Sequence, residues 1–471
     1  MSTTASSNLT SGFIDLATYD ELEKYQYGGP DATAYFVSET RKSTWFTQVP
    51  VTLTLNGTPT WGADFHASVS RAGDYLLSTW ARIRLPEFDI SDPSADTVKK
   101  VTWTEKLGHN IFEEVYISFN DLVAEKLTSE YLDFWSAFTT PASKQAGYSN
   151  MIGDVSVLHS AGAQKTDVAG VVTSDSVMPA YTLNIPLPFF YSRDSGVALP
   201  CAALPYNEIR IGFKLRYADK LLTVTETTTA TGAVAVRHAT ASDFATGQFP
   251  HMSEFRVWAN YAIVSNDERV RMGCGPRDIL IEQVQHTNAD WDATRRELIR
   301  IDVRFSHAIK VLFFAVRNKS VDSQWSNYTT RHTAQQGTGT VAYDPVLETS
   351  IIYENTHRLT SLGSDYFSLV QPYYHAPAIP EQTGLHMYSY SLDFYSTDPM
   401  GSTNYGKLTN VSIENRPATV ARHASNGLDD LGVALVPEAA TPHSNTFQLY
   451  VNAVCNNIIR ISGGALGFPV L

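Results

Sequence analysis

Short runs in which apolar and polar residues alternate recur along most of the chain, and each of them predicts a β-strand. The clearest run covers residues 209–216, where Ile, Ile, Phe and Leu alternate with Arg, Gly, Lys and Arg. An extended chain would turn the four apolar side chains to one face and the charges, including Arg216, to the other. We therefore predict a strand with one buried and one charged face. The turn before it, at Arg193 and Asp194, we interpret as a structural corner.

Similar runs elsewhere are short and bounded by Gly, Pro, Asn or Asp, which is typical of strands separated by turns. In the first half they cover residues 51–55, 65–69, 75–85, 101–104 and 115–119. In the second half they cover residues 255–261, 299–305, 388–394 and 457–461. Many short strands joined by polar loops favour a β-sandwich or jelly roll in each half, and the halves share no residue-level repeat.

Helical patterns are few. Apolar side chains at positions 127, 131, 134, 135 and 138 recur at spacings of three and four, which predicts an amphipathic helix ending near residue 139. We interpret it as a helix packed on the edge of a sheet, with a ligand-binding aromatic box as the alternative. Residues 1–16 are rich in Ser and Thr and predict a polar arm. Thr18 and Glu21 have the spacing of a capping box, which predicts a short helix over residues 19–26.

Four segments lack patterned hydrophobicity and predict loops, namely residues 154–179, 223–247, 322–344 and 421–444. The chain has 471 residues, which is long for one core, so two domains are expected. We predict an N-terminal arm over residues 1–26 and a first jelly roll over 27–222. A linker or variable loop over 223–252 would then lead to a second jelly roll over 253–471.

The net charge, the absence of targeting patterns and the cysteines narrow the classes of function that fit this sequence. The net charge is −13 and neither end carries a basic run, which argues against a nucleic-acid-binding surface because such affinity comes mainly from Lys and Arg. The N-terminus lacks the pattern of a signal peptide, and the apolar run over residues 311–316 is too short for a membrane helix. Cys201, Cys274 and Cys455 are far apart and never form a CxxC pair, which fits structural thiols in a reducing compartment.

Motifs for catalysis are weak. The sequence has no G-x-S-x-G elbow, no Walker loop and no G-x-G-x-x-G, so we expect no catalytic, cofactor-binding or metal-binding residues. Three local pairs or clusters resemble catalytic or metal sites, and we interpret each of them as structural or solvated: His109 with Glu113, Ser306 with His307, and the calcium-like cluster 266–269. Paired carboxylates of a β-sandwich enzyme, or a carbohydrate-binding module, stay open as alternatives. We interpret the glycosylation sequons at Asn8, Asn56, Asn318, Asn327 and Asn410 as chance matches.

Twelve blocks of sequence carry a resemblance to a known family. In the first half they are residues 8–29, 41–51, 70–80, 119–144, 150–153 and 186–211, which include RKSTWFTQVPV and PLPFFYSRDSGVALPCAALPYNEIRI. In the second half they are residues 304–318, 326–330, 353–359, 363–377, 401–413 and 456–471, which include GSDYFSLVQPYYHAP and NNIIRISGGALGFPVL. On these blocks the chain resembles the major capsid proteins of iridoviruses, and among them those of invertebrate iridescent viruses. The departures fall in the four predicted loops.

The resemblance implies an all-β fold of two tandem eight-stranded antiparallel jelly rolls, with long loops and a few short helices. It implies a structural protein and not an enzyme. Three chains would form a homotrimeric capsomer of pseudo-hexagonal outline, and capsomers would tile an icosahedral shell over an inner membrane and double-stranded DNA.

The resemblance also implies partners and a location. The partners would be neighbouring capsomers and penton and minor capsid proteins, with the N-terminal arm near the inner membrane and no direct contact to nucleic acid. No cofactor is implied. The protein would belong to the virion shell and would be assembled in the host cytoplasm.

Overall fold

The computed structural model describes residues 3–36, 42–90, 97–159, 164–166, 172–174, 177–228, 234–320, 323–331, 343–426 and 445–468. The chain divides into two compact units, residues 1–45 and residues 46–471, and the second unit contains both β-rich halves. Parts of all four predicted loops lie outside the described residues.

The N-terminal unit contains two helices, Thr3–Ala17 and Glu21–Gln26. The polar arm predicted over residues 1–16 is therefore largely helical. The second helix is confirmed, but its cap was assigned to the wrong residue: Asp20 is the N-cap, and the carboxylate of Glu23 accepts from the Asp20 N–H at 3.3 Å. Asp and Glu at this spacing satisfy the free N–H groups of the first turn, as Thr18 and Glu21 would have done two residues earlier.

The first half of the larger unit is a sandwich of two antiparallel sheets. Sheet 1A has the strand order Phe46–Thr52, Glu254–Val264, Tyr75–Leu85 and Tyr181–Leu187. Sheet 1B has the order Thr54–Asn56, Asp64–Ser68, Ile209–Leu215, Phe112–Phe119 and Leu122–Thr128. The sheets face each other across an apolar core, where Phe65 and Phe213 of sheet 1B lie with ring centroids 5.0 and 5.5 Å from that of Phe255 of sheet 1A.

Further elements of the first half lie outside the two sheets. A third sheet has the order Val234–His238, Leu222–Thr228 and Thr97–Trp103, and two short pairs join Phe88–Asp89 to Val177–Met178 and Gln164–Thr166 to Val172–Ser174. The helices are Leu107–Asn110, Ser129–Thr139, Ala142–Ile152 and Ser156–His159. Single 3-10 turns are formed by Phe190–Ser192, Ser195–Val197, Cys201–Ala203, Ala218–Lys220 and Ala241–Asp243.

Two predictions for the first half were wrong. The segment 223–252, predicted as a linker, contributes two strands of the third sheet, because Leu222 and Val224 alternate into the core and are fully buried. The strand Glu254–Val264, which we assigned to the second jelly roll, pairs with Tyr75–Leu85 and Phe46–Thr52 of sheet 1A.

The second half is also a sandwich of two antiparallel sheets. Sheet 2A has the order Arg277–Trp291, Phe447–Ser462, Ala308–Asn318 and Leu385–Ser389, with the short strands Thr403–Asn404 and Ala465–Gly467 beside it. Sheet 2B has the order Ile299–Asp302, Val411–Pro417, Val346–Tyr353 and Thr356–Gly363. The helices are Asn266–Gly273, Gln371–His375 and Thr419–Ser425, with a π-helical turn at Tyr366–Val370 and a 3-10 turn at Tyr405–Lys407. The strand predicted over residues 388–394 ends at Ser389.

The strand Ala308–Asn318 is buried on both faces, which explains the continuous apolar run at residues 311–316. Phe314 and its alternate neighbours face the core between sheets 2A and 2B. Phe313 faces the other way, into a core shared with the first half. Among the described helices, none combines the length and the apolar character needed to cross a membrane.

Candidate functional site

The two sandwiches meet across a buried junction, and the helix Ser129–Thr139 lies inside it. Phe134 and Phe138 of this helix stack on Phe313 of sheet 2A, with ring centroids 6.0 and 5.2 Å apart. The helix begins after Thr128, whose hydroxyl accepts from the N–H of Tyr131. The position on a sheet edge that we predicted was wrong, because the apolar stripe of the helix packs against the second half of the chain as well as the first.

Asp133 connects both halves at one end of this junction. Its Oδ1 lies 2.6 Å from Nδ1 of His109, and its Oδ2 accepts from the hydroxyls of Ser326 at 2.7 Å and Tyr328 at 3.0 Å. Burial alone would raise the pKa of Asp133, but Lys106 and the hydrogen bonds from His109 and Ser326 outweigh it and lower the pKa to about 2. Asp133 is therefore a charged acceptor that the donors around it satisfy.

The predicted corner at Arg193 reaches into the junction from sheet 1A. Its guanidinium lies 3.4 Å from the ring centroid of Trp135, donates to the hydroxyl of Tyr131 at 2.7 Å and approaches Glu282 at 3.4 Å. Glu282 also pairs with the buried Lys310 at 2.6 Å. A cation–π contact and shared ion pairs at a buried site resist separation of the halves.

Glu125 lies beside this cluster and is itself buried. Its Oε2 accepts from the backbone N–H of Phe190 at 2.8 Å. Burial raises the pKa of Glu125 to about 8, although Arg193 and the Phe190 hydrogen bond oppose the shift. At neutral pH this carboxyl is therefore largely protonated.

On the charged face that we predicted for residues 209–216, Lys214 reaches solvent and pairs with Glu113 at 2.8 Å, whereas Arg216 is buried. Arg216 is only 6% exposed, and it donates to the carbonyls of Asn110 and Phe112 at 2.8 and 2.9 Å. Its guanidinium lies 3.7 Å from the ring centroid of Trp325, a residue of the second half. Burial lowers the pKa of Arg216 to about 10. The alternation holds for the strand, but Trp325 covers Arg216, and local sequence carries no signal of that contact.

His109 and Glu113, which the sequence offered as a weak catalytic pair, do not contact each other. His109 is buried between Asp133 and the hydroxyl of Tyr148, which lies 2.7 Å from its Nε2. Glu113 is exposed and pairs with Lys214 at 2.8 Å instead. The hydroxyl of Ser326 donates to Asp133 and not to the imidazole, so these side chains do not form the Ser–His–Asp order of a catalytic triad.

The other candidates are structural too. The backbone N–H of Ser306 donates to the side chain of Gln285 at 2.8 Å, and His307 adopts a left-handed conformation with φ of 65°. Residues 266–269, interpreted as a solvated turn, begin the helix Asn266–Gly273, and Arg269 pairs with Asp74 at 2.8 Å. Within the described parts of the chain, no group of three or more His, Cys, Asp or Glu side chains could hold a metal ion.

The sequons and cysteines differ in exposure. Asn318 is buried and its Nδ2 donates to the carbonyl of Thr329 at 3.3 Å, so a glycan has no access to it. Asn8, Asn56 and Asn410 are exposed, and Asn327 is half-buried. All three cysteines are free; Cys201 and Cys455 are buried, and Cys274 is exposed. Burial raises the pKa of the Cys201 and Cys455 thiols to about 12, which keeps them protonated and unreactive.

Exposed apolar side chains were not found by the sequence pattern, because alternation does not report which apolar residues lack a partner. They concentrate in two places. In the N-terminal unit, Phe13, Leu16 and Tyr25 are 65, 73 and 94% exposed. In the second half, a group of tyrosine and leucine side chains between residues 369 and 400 is similarly exposed.

The chain matches two family profiles that together span both sandwiches. A profile described as the N-terminus of the major capsid protein matches residues 34–264, and one described as the major capsid protein of large eukaryotic DNA viruses matches residues 268–467. The major capsid protein of Invertebrate iridescent virus 6 is 52% identical over 99% of both chains. That of Lymphocystis disease virus 1 is 42% identical over the full length of both chains.

Solved structures share the fold. A chain of the PBCV-1 virus capsid aligns with a TM-score of 0.71 and 20% identity, covering 93% of this chain and all of that chain. The Faustovirus major capsid protein aligns with a TM-score of 0.67 and 12% identity over 94% of both chains. The predicted fold class of two tandem antiparallel jelly rolls is thereby confirmed, and the similar proteins are structural proteins and not enzymes. The chain belongs to the family of major capsid proteins of large eukaryotic DNA viruses, in its iridescent-virus branch.

Proposed function

We propose that this capsid-shell protein forms homotrimeric capsomers of pseudo-hexagonal outline that tile an icosahedral shell. The observation that supports the proposal is the buried junction, which joins two sandwiches of similar construction into one body. Three such bodies around one axis would place six sandwiches in a ring. A pseudo-hexagonal unit requires the two sandwiches of one chain to keep a fixed geometry, and stacked aromatic rings and buried ion pairs supply it.

The test is the size and outline of the purified chain. Analytical ultracentrifugation should give a particle of about three times the 52.0 kDa of one chain, and electron microscopy should show a hexagonal projection. A monomer at micromolar concentration, or a projection without threefold symmetry, would contradict the capsomer.

We infer that the partners are neighbouring capsomers together with penton and minor capsid proteins, and that nucleic acid is not contacted directly. The net charge of −13 supports the second point, because a surface that neutralises phosphates needs an excess of cations. Assembly in the host cytoplasm is supported by three free cysteines. Filter binding of double-stranded DNA at 150 mM salt should detect no complex.

We also propose that the two jelly rolls divide at residues 265–267. The pairing of Glu254–Val264 with sheet 1A and the start of sheet 2A at Arg277 support this division. The two family profiles end and begin on either side of the same residues. Limited proteolysis should not cut within residues 223–228 and 234–238, since these lie in paired strands and not in a linker.

A further inference from the structure

A group of large apolar side chains lies exposed on the segment between the strands Thr356–Gly363 and Thr403–Asn404. We call it the tyrosine patch. Its eight members are each 39–75% exposed: Leu369, Val370, Tyr373, Tyr374, Ile379, Leu392, Tyr395 and Met400. Single exposed apolar residues are ordinary on a protein surface, whereas a contiguous group of this size marks a contact surface.

Hydrogen bonds bring the two ends of the segment together. Nδ1 of His375, at the end of the helix Gln371–His375, donates to the carbonyl of Leu392 at 3.0 Å. The N–H of Leu392 donates to the carbonyl of Met400 at 3.1 Å. Tyr373 and Tyr374 precede His375 directly and contact each other edge to face, with centroids 5.1 Å apart. Residues some 20 positions apart in sequence therefore form one surface.

The tyrosine patch rests on the rigid junction. The ring of Tyr395 stacks on Trp135 with centroids 6.2 Å apart, and the buried Phe394 beside it packs against Phe313 at 5.7 Å. Nζ of the buried Lys310 donates to the carbonyl of Ser396 at 2.6 Å. Side chains held in this way lose little conformational entropy when a partner covers them, so they suit a binding surface.

The charges around the tyrosine patch limit the kind of partner. Residues 359–406 contain no Lys or Arg and carry four carboxylates, those of Asp365, Glu381, Asp393 and Asp398. Anionic lipid headgroups and nucleic-acid phosphates would be repelled by this segment. Tyr, Leu and Met side chains with few charges at their centre are typical of the middle of a protein–protein interface. The partner surface should be apolar with cations at its rim.

We propose that the tyrosine patch is the surface by which one copy of this chain binds the next copy within the capsomer, an inference that rests on the proposed trimer. In a threefold ring each contact is head-to-tail, so the tyrosine patch must meet a different surface of its neighbour. Three tyrosines and two leucines, each at least half exposed, supply a large share of the about 800 Å² per partner that a standard interface buries.

The test compares two substitutions of equally sized side chains. Leu392→Asp places a charge at the centre of the tyrosine patch, where Leu392 is 75% exposed in the single chain. Leu122→Asp is the matched control, since Leu122 is 46% exposed on the edge strand of sheet 1B. By ultracentrifugation, Leu392→Asp should weaken self-association at least about 100-fold, because the charge would be buried without a partner. Leu122→Asp should associate like the wild type. A Leu392→Asp trimer as stable as the wild type overturns the proposal.

A second measurement uses the wild-type chain alone and does not depend on the folding of a variant. Hydroxyl-radical footprinting of the trimer should modify Tyr373 and Tyr374 more slowly than Tyr217, which is 65% exposed in the single chain. Rates as high as that of Tyr217 in a confirmed trimer would refute the tyrosine patch and leave the capsomer intact. A wild-type chain that stays monomeric would instead refute the capsomer itself.

Discussion

Asp133 accepts hydrogen bonds from both halves of the chain, so its substitution tests the junction at the scale of one residue. We predict that Asp133→Asn lowers the free energy of unfolding at pH 7 by about 3 kcal/mol, because buried donors lose a charged acceptor. Urea denaturation measured by fluorescence would quantify the loss. The pKa of Asp133 is lowered to about 2, so its ionised form stabilises the fold above the ordinary pKa of 3.8. That stabilisation is lost as the pH falls toward 2.

Glu113→Gln is the control for this prediction, since the Glu113–Lys214 pair is exposed on both sides. Exposed ion pairs contribute little, so we expect a change of at most about 0.5 kcal/mol. An Asp133→Asn variant as stable as the Glu113→Gln variant would show that the junction does not depend on Asp133.

The buried carboxyl of Glu125 should make the stability of the fold depend on pH in the opposite direction from Asp133. Its pKa is raised from 4.5 to about 8 by burial, so the folded chain holds a proton that the unfolded chain has released over this range. Stability should therefore fall as the pH rises from about 5 to 8. Glu125→Gln keeps an acceptor for the N–H of Phe190 but cannot ionise. We expect the variant to gain on the order of 2–4 kcal/mol relative to the wild type between these pH values. If the melting temperatures of the wild type and of Glu125→Gln changed with pH in parallel, this account would be contradicted.

At the scale of elements, the strand Ala308–Asn318 offers a matched pair of substitutions on its two faces. Phe313 stacks on the helix Ser129–Thr139, whereas Phe314 packs on Phe367 inside the second sandwich. We predict that either Phe→Ala change costs about 3–5 kcal/mol of stability, because each leaves a cavity in a packed core. Only Phe313→Ala should raise amide hydrogen exchange in the helix Ser129–Thr139. Equal exchange in both variants would mean that Phe313 does not secure the helix.

The local sequence pattern predicted where strands and helices lie better than it predicted which residues pack against them. The strand Ile209–Leu215 and the helix ending at Thr139 follow from alternation and from a three-and-four spacing, which are local properties. The burial of Arg216 under Trp325 and of the helix under Phe313 could not be predicted, because those partners lie more than 100 residues away. Residues 223–247 were predicted as a loop because their apolar residues are sparse, although Val224, Ala239 and Phe244 are buried in the core and Thr is common in strands.

At the scale of the whole molecule, the site that we propose is a surface for assembly. Local sequence carries less information about such a surface than about a catalytic motif. The resemblance of twelve sequence blocks led to the correct family and fold class. It did not locate the tyrosine patch, because Tyr373 and Tyr374 look like core residues until the fold leaves them uncovered. Exposure is a property of the complete chain, so a surface for assembly is visible only after every internal partner has been assigned.

The described side chains of the helix Thr3–Ala17 are all exposed, including Leu9, Phe13 and Leu16, which recur at helical spacing. A 15-residue helix without a covered apolar face is marginal in water, so we predict that another protein of the shell covers it. The first 23 residues carry four carboxylates and no Lys or Arg, which disfavours anionic lipid as the partner of this helix.

Deleting residues 1–16 should therefore leave the trimer and its melting temperature unchanged and should reduce the yield of closed shells. Ultracentrifugation would measure the first outcome, and electron microscopy of particles assembled in infected or co-expressing cells the second. A matched variant, Phe13→Ser with Leu16→Ser, keeps the length of the chain and removes only the apolar face. If that variant assembles poorly as well, the apolar face is what the shell requires; normal shells from both variants would show that the helix has no part in assembly.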